Sequence, residues 1–262
     1  MSDPACDLVP SDRSPVIEVA GLSMAFGEHL VQRDVTFTVG RGEVFIIMGG
    51  SGSGKSTLLK HMIGLLEPAA GDVIYEGQSF TKADPETRTA FLRRIGILYQ
   101  KGALWSSMTL AENIALVLEE YTDLSHEEIR SLASLKLALV GLAGFEGYYP
   151  SEISGGMQKR AGLARALALD PRLLFFDEPS AGLDPVSSRR LDELILELRD
   201  SLGATVVVVT HELASLFAIG DNGVFLDGDA KTVIARGKPT DLLASCPDSR
   251  VQRFLRRGEI RP

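Results

Sequence analysis

A chain of 262 residues, 45% of them hydrophobic and 24% charged, can bury a sizeable core and fits one large domain or two small ones. Its net charge of −8 disfavours a general nucleic-acid-binding surface, because such a surface is normally basic. With only two cysteines, Cys6 and Cys246, it has no disulfide framework and no cysteine-rich metal site, which favours a reducing compartment.

The beginning of the chain predicts a leader followed by strands. Residues 1–15 lack the basic and apolar regions of a signal peptide, so we expect a mobile leader there. No apolar run approaches the ~18–20 residues of a membrane helix, so any membrane role is expected to come through a partner. Residues 16–43 alternate in hydrophobicity and carry turn glycines, which predicts antiparallel strands.

Residues 44–57 combine a short apolar run, which predicts a buried strand, with a glycine-rich loop and the start of a helical pattern. Glycines let backbone N–H groups point at phosphate oxygens, and the helix N-terminus adds a favourable dipole. We therefore predict a phosphate-binding loop, in which Lys55 reaches the β- and γ-phosphates, Ser56 binds Mg²⁺ and Thr57 assists at the α-phosphate. The alternative, an ordinary glycine-serine turn, would need neither the strand nor the helix. The predicted ATP-binding residues here are Gly49, Gly50, Ser51, Gly52, Ser53, Gly54, Lys55, Ser56 and Thr57.

Helical patterns dominate from about residue 87 to 165, which predicts a helical subdomain inserted into an α/β core. Asp84 precedes a proline and predicts a helix start. Thr109 and Ser125 each begin a capping-box pattern, and the second helix is expected to end at Gly141.

Two further apolar runs, residues 173–176 and 205–209, predict buried parallel strands. Asp177 and Glu178 directly follow the first of these runs. Because ligands of such sheets sit at the carboxyl ends of the strands, both carboxylates should face the phosphate-binding loop. Asp177 is predicted to hold Mg²⁺ through water, and Glu178 to act as the base on the water that attacks the γ-phosphate. A solvated strand end is the alternative.

In order along the chain, these motifs resemble those of ABC-transporter ATPases, over roughly residues 16–240. The segment "ISGGMQKR", residues 153–160, resembles the family's signature motif, which P-loop kinases and GTPases lack. The resemblance implies an α/β fold, a RecA-like P-loop NTPase core with an antiparallel β subdomain and an inserted α-helical subdomain. It also implies an ATPase that uses ATP and Mg²⁺, with Lys55, Glu178 and His211 as its catalytic residues.

The resemblance assigns roles to four further positions. Phe26 resembles the aromatic residue that stacks on adenine, and Gln100 resembles the glutamine that contacts both Mg²⁺ and the membrane subunit. Asp184 resembles an aspartate at the ATP site of the family, and His211 the histidine that contacts the γ-phosphate. Taken singly, Phe26 also fits a core aromatic, Gln100 a polar strand cap and His211 a histidine satisfied at a sheet edge.

The signature segment implies that the protein works as a dimer. Ser154, Gly155 and Gly156 are predicted to begin a helix, whose free amides form a second anion-binding end. One chain cannot bring both helix ends to the same γ-phosphate if they lie on separate lobes, whereas two chains arranged head to tail can. Gly50, where many relatives have proline, and Met157, where the signature usually has glutamine, depart from the family pattern.

A finer resemblance, to the ATPases of Mla-type phospholipid transporters, is carried by "GGMQKRAGLARALALDP", "YQKGALW" and "RVQRFLRRGE". It implies a second copy of the chain, an integral membrane permease, an MCE-type lipid-binding protein and a small regulatory subunit as partners, with no nucleic acid. It places the chain at the cytoplasmic face of a bacterial inner membrane. It also suggests that Val251, Phe254 and Leu255, in the C-terminal extension 241–262, pack on the partner protomer; a solvated basic tail is the alternative.

Other readings stay open at this point. An ATPase of a small-nutrient importer differs mainly in its partners and tail. A DNA-repair or chromosome-structuring ABC protein would need a long coiled coil or zinc insert, and a pure interaction module would not need the catalytic residue types. Trp105 fits either the permease-docking groove or the core of the helical subdomain.

Overall fold

Two β-sheets organise the fold, one mainly parallel and one antiparallel, in a computed structural model that describes residues 6–8, 14–100 and 102–258. Within these residues the strands are β1 Cys6–Leu8, β2 Pro15–Phe26, β3 His29–Gly40, β4 Val44–Gly49, β5 Ala70–Tyr75, β6 Gln78–Ser79, β7 Ile95–Leu98, β8 Leu173–Asp177, β9 Thr205–Val209, β10 Asn222–Asp227 and β11 Thr232–Gly237. The helices are α1 Lys55–Met62, α2 Pro85–Leu92, α3 Leu110–Tyr121, α4 His126–Leu139, α5 Gly155–Ala166, α6 Pro185–Leu202, α7 Leu213–Ile219, α8 Pro239–Ser245 and α9 Ser249–Leu255.

The larger sheet has the order β1-β11-β10-β4-β9-β8-β7, and of its described strand pairs only β10–β11 is antiparallel. The three apolar runs predicted as parallel strands are its adjacent strands β4, β9 and β8, so this prediction is confirmed. Their carboxyl ends therefore meet at one edge of the sheet, which is where α/β folds place their ligands.

Both faces of this sheet are buried. Along β4, Ile46 and Met48 face a core that includes residues of α5, α6 and α7, whereas Phe45 and Ile47 face a core shared with α1 and the smaller sheet. A strand buried on both faces needs apolar residues at every position, which explains the uninterrupted run. The smaller sheet, β3-β2-β5-β6, is antiparallel, as predicted for residues 16–43.

The helical subdomain begins later than predicted. β7 lies inside the predicted insertion but pairs with β8 in the larger sheet, and Phe91 of α2 packs in the core beneath it. The helix starts are confirmed, since Thr109 and Ser125 each form a complete capping box. Among the helices that the structure describes, none is both long enough and apolar enough to cross a membrane.

Trp105 lies at the start of the helical subdomain and is 58% exposed, which excludes the core position considered for it. Asn113 holds the main chain of this residue on both sides. Trp105 N–H donates to Asn113 Oδ1 at 2.7 Å, and Asn113 Nδ2 donates to the Trp105 carbonyl at 3.1 Å.

Both ends of the chain differ from expectation. The predicted mobile leader contains β1, which pairs in parallel with β11, while residues 1–5 and 9–13 of it lie outside the described residues. Val251, Phe254 and Leu255 are buried against the core of their own chain, so their expected packing on a partner protomer is wrong, and so is the alternative of a solvated tail. Residues 259–262 of the C-terminal extension also lie outside the described residues.

Candidate active site

The phosphate-binding loop joins β4 to α1 and depends on glycine at three points. Gly49, Gly52 and Gly54 have φ angles of 148°, 76° and 88°, which side chains rarely adopt. A Cβ atom at Gly49 would in addition collide with the Leu226 carbonyl and lie 2.6 Å from Ser53 Oγ. The loop therefore leaves open a cradle of backbone amides at the start of α1, the arrangement that suits phosphate.

Lys55 is the first residue of α1 and is 8% exposed. Its Nζ donates to the carbonyl oxygens of Gly49 at 3.0 Å and Gly50 at 2.8 Å, so the ammonium group lies in the mouth of the loop. Burial lowers the pKa of Lys55, while the charges of Glu178 and Asp177 act to raise it. The two carboxylates thus stand close enough to this cation to form one electrostatic unit with it.

Of the three residues predicted to hold Mg²⁺, which are Ser56, Gln100 and Asp177, the first and the last are joined by a hydrogen bond. Ser56 Oγ donates to Asp177 Oδ1 at 2.8 Å, which joins the start of α1 to the end of β8. Mg²⁺ prefers oxygen ligands and keeps several sites for phosphate and water, so a hydroxyl with a carboxylate behind it suits this ion. Among the described residues, no three His, Cys, Asp or Glu side chains cluster as a metal site of their own.

Glu178 and His211 meet at the ends of β8 and β9. His211 Nδ1 lies 2.8 Å from Glu178 Oε1, and Glu178 is 9% exposed. The other carboxylate oxygen, Oε2, is buried and has no hydrogen-bond partner among the residues that the structure describes. A buried oxygen without a partner at the edge of a cleft is suited to accept a hydrogen bond from a water molecule that it activates.

Except for Asp177, which lies behind Ser56, these groups line one cleft of about 800 Å³. It brings together Phe26, which is 53% exposed, the loop residues except the buried Ser53, and the predicted Gln100, Glu178 and His211. Five further residues that the motifs did not single out as site residues also line it: His29, Val31, Leu213, Phe254 and Arg257. Phe254 and Arg257 belong to the C-terminal extension, so this segment forms part of the cleft of its own chain.

The signature residues lie elsewhere. Ser154 caps α5, accepting a hydrogen bond from Met157 N–H at 3.3 Å, and neither Ser154 nor Gly155 nor Gly156 lines the cleft. Asp184 caps α6 and does not line the cleft either. A Cβ at Gly156 would lie 3.2 Å from Ser187 Oγ, so the first turns of α5 and α6 pack together.

The fold and the cleft together define a P-loop ATPase, which binds ATP at the carboxyl end of a parallel sheet. Residues 32–181 match the family described as "ABC transporter", and the chain belongs to that family. The sequence resemblance to ABC-transporter ATPases is thereby confirmed, and the chain is an ATPase subunit of this kind.

Relatives and solved structures agree on this class. The chain is 42% identical, over 94% of its length and 68% of the relative's, to the probable ribonucleotide transport ATP-binding protein mkl of Mycobacterium tuberculosis. It is 38% identical to the intermembrane phospholipid transport system ATP-binding protein MlaF of Escherichia coli K12, over 92% of this chain and 88% of MlaF. The dimeric structure of the ATP-binding cassette MJ0796 in a post-hydrolysis state, bound to ADP and Pi, is 31% identical with a TM-score of 0.77, over 85% of this chain and 98% of that one.

Proposed function

We propose that this chain hydrolyses ATP to drive a membrane permease that moves phospholipids between membranes. The observation that supports the chemistry is the single cleft in which the glycine loop, Lys55, the Glu178–His211 pair and the exposed Phe26 meet. The chain's similarity to the phospholipid transport ATPases named MlaF, over about nine tenths of both chains, supports the cargo class.

Within the cleft, each residue has a proposed task. Phe26 stacks on the adenine ring, and the loop amides with Lys55 and Thr57 hold the phosphates. Mg²⁺, when bound, neutralises phosphate charge, and Ser56, Gln100 and Asp177 are the residues that would hold it. Glu178 takes a proton from the attacking water while His211 orients it at the γ-phosphate.

The working unit is a head-to-tail dimer with two ATP molecules between the copies. Ser154, Gly155, Gly156 and Asp184 are away from their own chain's cleft, so they are free to complete the cleft of a partner copy. The N-terminus of α5 is an anion-binding end, because its first amides lack partners within the helix. The membrane permease and an MCE-type lipid-binding protein, with a small regulatory subunit, complete the proposed assembly at the cytoplasmic face of an inner membrane.

A second candidate cargo is a ribonucleotide or another small nutrient. It is favoured by the mycobacterial relatives, which are named as probable ribonucleotide transport proteins and share 41–42% identity with this chain. The cleft does not separate the two candidates, because an ATPase subunit need not touch the cargo. The partners separate them.

The experiment is a pull-down of tagged Glu178→Gln protein from detergent-solubilised native membranes, with bound proteins and lipids identified by mass spectrometry. The substitution is expected to retain ATP and hold the assembled complex together. Lys55→Ala, which loses productive ATP use, is the control. A multi-spanning permease recovered with an MCE protein and phospholipid supports lipid transport, whereas a permease with a soluble solute-binding protein overturns the lipid assignment in favour of a small nutrient.

A further inference from the structure

A buried lysine joins the helix of the signature segment to the loop that carries the proposed base. Lys159 lies on α5, four residues after its start, and is 7% exposed. Its Nζ donates to the carbonyl oxygens of Pro179 and Ala181, both at 2.6 Å, and of Glu178 at 3.3 Å. An ammonium group has three N–H donors, so all of them are directed at this one loop between β8 and α6.

The loop is strained where it begins. Glu178 has a φ angle of 50°, a left-handed conformation that few residues other than glycine adopt. Such a conformation persists only where the surroundings hold it in place. Glu178 N–H donates to the Val209 carbonyl at 2.8 Å on one side of the strained residue, and the contacts with Lys159 hold the carbonyls on the other side. The direction of the Glu178 carboxylate depends on both.

Helix α5 also contacts two other functional segments. Its first turn packs on the start of α6, near the cap Asp184, through Gly156 and Ser187. Toward its end, Arg165 Nη1 donates to the Ala103 carbonyl at 2.7 Å, just after the segment that contains Gln100. The helix therefore contacts the signature segment, the loop after β8 and the segment after β7. Lys159 makes the contacts between the helix and the loop after β8.

We propose that Lys159 is a positioning residue for ATP hydrolysis, because it fixes the β8–α6 loop to α5 and so holds the Glu178 carboxylate in its working direction. Lys159 does not line the cleft and acts only through this loop. The inference rests on the proposed function in one respect, the role of Glu178 as the base.

The test compares two buried lysines of the same subdomain. Lys136 is 3% exposed and pairs with Asp170, away from the cleft and from the β8–α6 loop. Lys159→Met is expected to lower kcat about 10- to 100-fold, the usual effect of a displaced catalytic group, while KM for ATP stays within about threefold. Lys136→Met is expected to keep kcat near that of the parent. Lys159→Arg should recover part of kcat, because guanidinium also carries several donors.

Each kcat result either supports or overturns the positioning role of Lys159. Equal kcat values for Lys159→Met and the parent, or equal losses in the two methionine variants, would overturn the inference. If Lys159→Met does not fold, Lys159→Leu replaces it, since it also removes all three donors, and parental kcat in that variant would overturn the inference as well. A parent protein without ATPase activity would instead contradict the proposed function, whatever the Lys159 variants do.

Discussion

At the scale of single residues, Gly49 and Gly50 are neighbours in the phosphate-binding loop, but only Gly49 is held in a conformation that requires glycine. An added Cβ at Gly50 meets nothing within 4 Å. Gly49→Ala is expected to cost about 2–4 kcal/mol of unfolding free energy, from strain and overpacking together, and to abolish ATP binding. Gly50→Ala should leave both close to parental values.

Thermal unfolding and calorimetric ATP titration measure the two effects. If both alanine variants bound ATP equally well, the loop would be more plastic than its backbone angles indicate. The Gly50→Ala result also shows whether position 50 tolerates a residue other than glycine. A tolerant position 50 would agree with the proline that the family resemblance leads us to expect there.

Glu178→Gln tests the proposed base. The substitution keeps the size and the hydrogen-bond capacity toward His211 but removes the proton acceptor, so hydrolysis should slow by about 10²- to 10⁴-fold while ATP binding persists. Glu212→Gln is the matched control, because Glu212 lies near the other ring nitrogen of the same histidine, with 4.0 Å between His211 Nε2 and Glu212 Oε1. Phosphate release and size-exclusion chromatography with ATP would measure the rate and the expected closed dimer. Parental turnover in Glu178→Gln would move the base elsewhere.

The sequence predicted the cleft residues that directly follow strands, because a strand end places its next residues at a known edge. Glu178 is of this kind, whereas His211, two residues past the end of β9, was expected from the family resemblance; both line the cleft. Lys159 could not be found in this way. Its role depends on three carbonyl oxygens that are about twenty residues away in the chain, and a carbonyl leaves no mark in a sequence.

At the scale of elements, α9 is the one whose packing differs most from the prediction. The rings of Phe254 and Phe225 of β10 meet edge to face, with centroids 5.1 Å apart, and Arg250 Nη1 donates to Asp227 Oδ1 at 3.1 Å. The family resemblance had suggested that the apolar residues of this helix pack on a partner protomer. A periodic pattern shows that a helix has an apolar face, but it does not show whether that face meets its own chain or another one.

Phe254→Ala should therefore destabilise the isolated chain by about 3–5 kcal/mol, the usual cost of removing a buried phenyl ring, and weaken ATP binding by opening the cleft wall. Arg253→Ala, on the exposed side of the same helix, serves as the control and should change neither property. Chemical denaturation and ATP titration are the measurements. An unchanged free energy of unfolding in Phe254→Ala would indicate that the helix does not stay docked in solution.

Strand β7 was placed inside the helical insertion for a different reason, although the strand-cap alternative for Gln100 implied a strand before it. It has four residues, and helical patterns lie on both sides of it, so no local periodicity separates it from them. Its place is fixed by tertiary contact. A Cβ at Gly96 would collide with Leu174 and Pro171 side chains at 2.7 and 2.9 Å, so the backbone of β7 must approach its neighbours closely.

At the scale of the whole molecule, the buried carboxyl group of Asp192 makes stability depend on pH. Asp192 is 8% exposed and accepts a hydrogen bond from Ser215 Oγ at 2.9 Å, and burial raises its pKa from 3.8 to about 6. Between these two values the folded state binds more protons than the unfolded state, so stability falls as pH rises through this window. Above about pH 6 the Asp192 carboxylate is ionised in the folded state, and burying it lowers the free energy of unfolding.

Asp192→Asn should consequently melt at a higher temperature than the parent at pH 8, and the difference should shrink as pH falls through 6 and vanish below about pH 4. Asp229→Asn, at an exposed position, should show no such trend. Melting curves recorded at several pH values measure both. A constant difference between Asp192→Asn and the parent across the range would contradict the assignment to this carboxyl group.

Trp105 is the only tryptophan of the chain, and Asn113 fixes its main chain while more than half of the residue's surface is exposed to solvent. Indole emission from the unmodified protein therefore originates at one known point, next to the segment that follows Gln100. A protein that covered this point would shift the emission to shorter wavelength, and iodide would quench it less. The chain thus carries its own optical reporter for any protein that docks over Trp105, with no dye and no substitution.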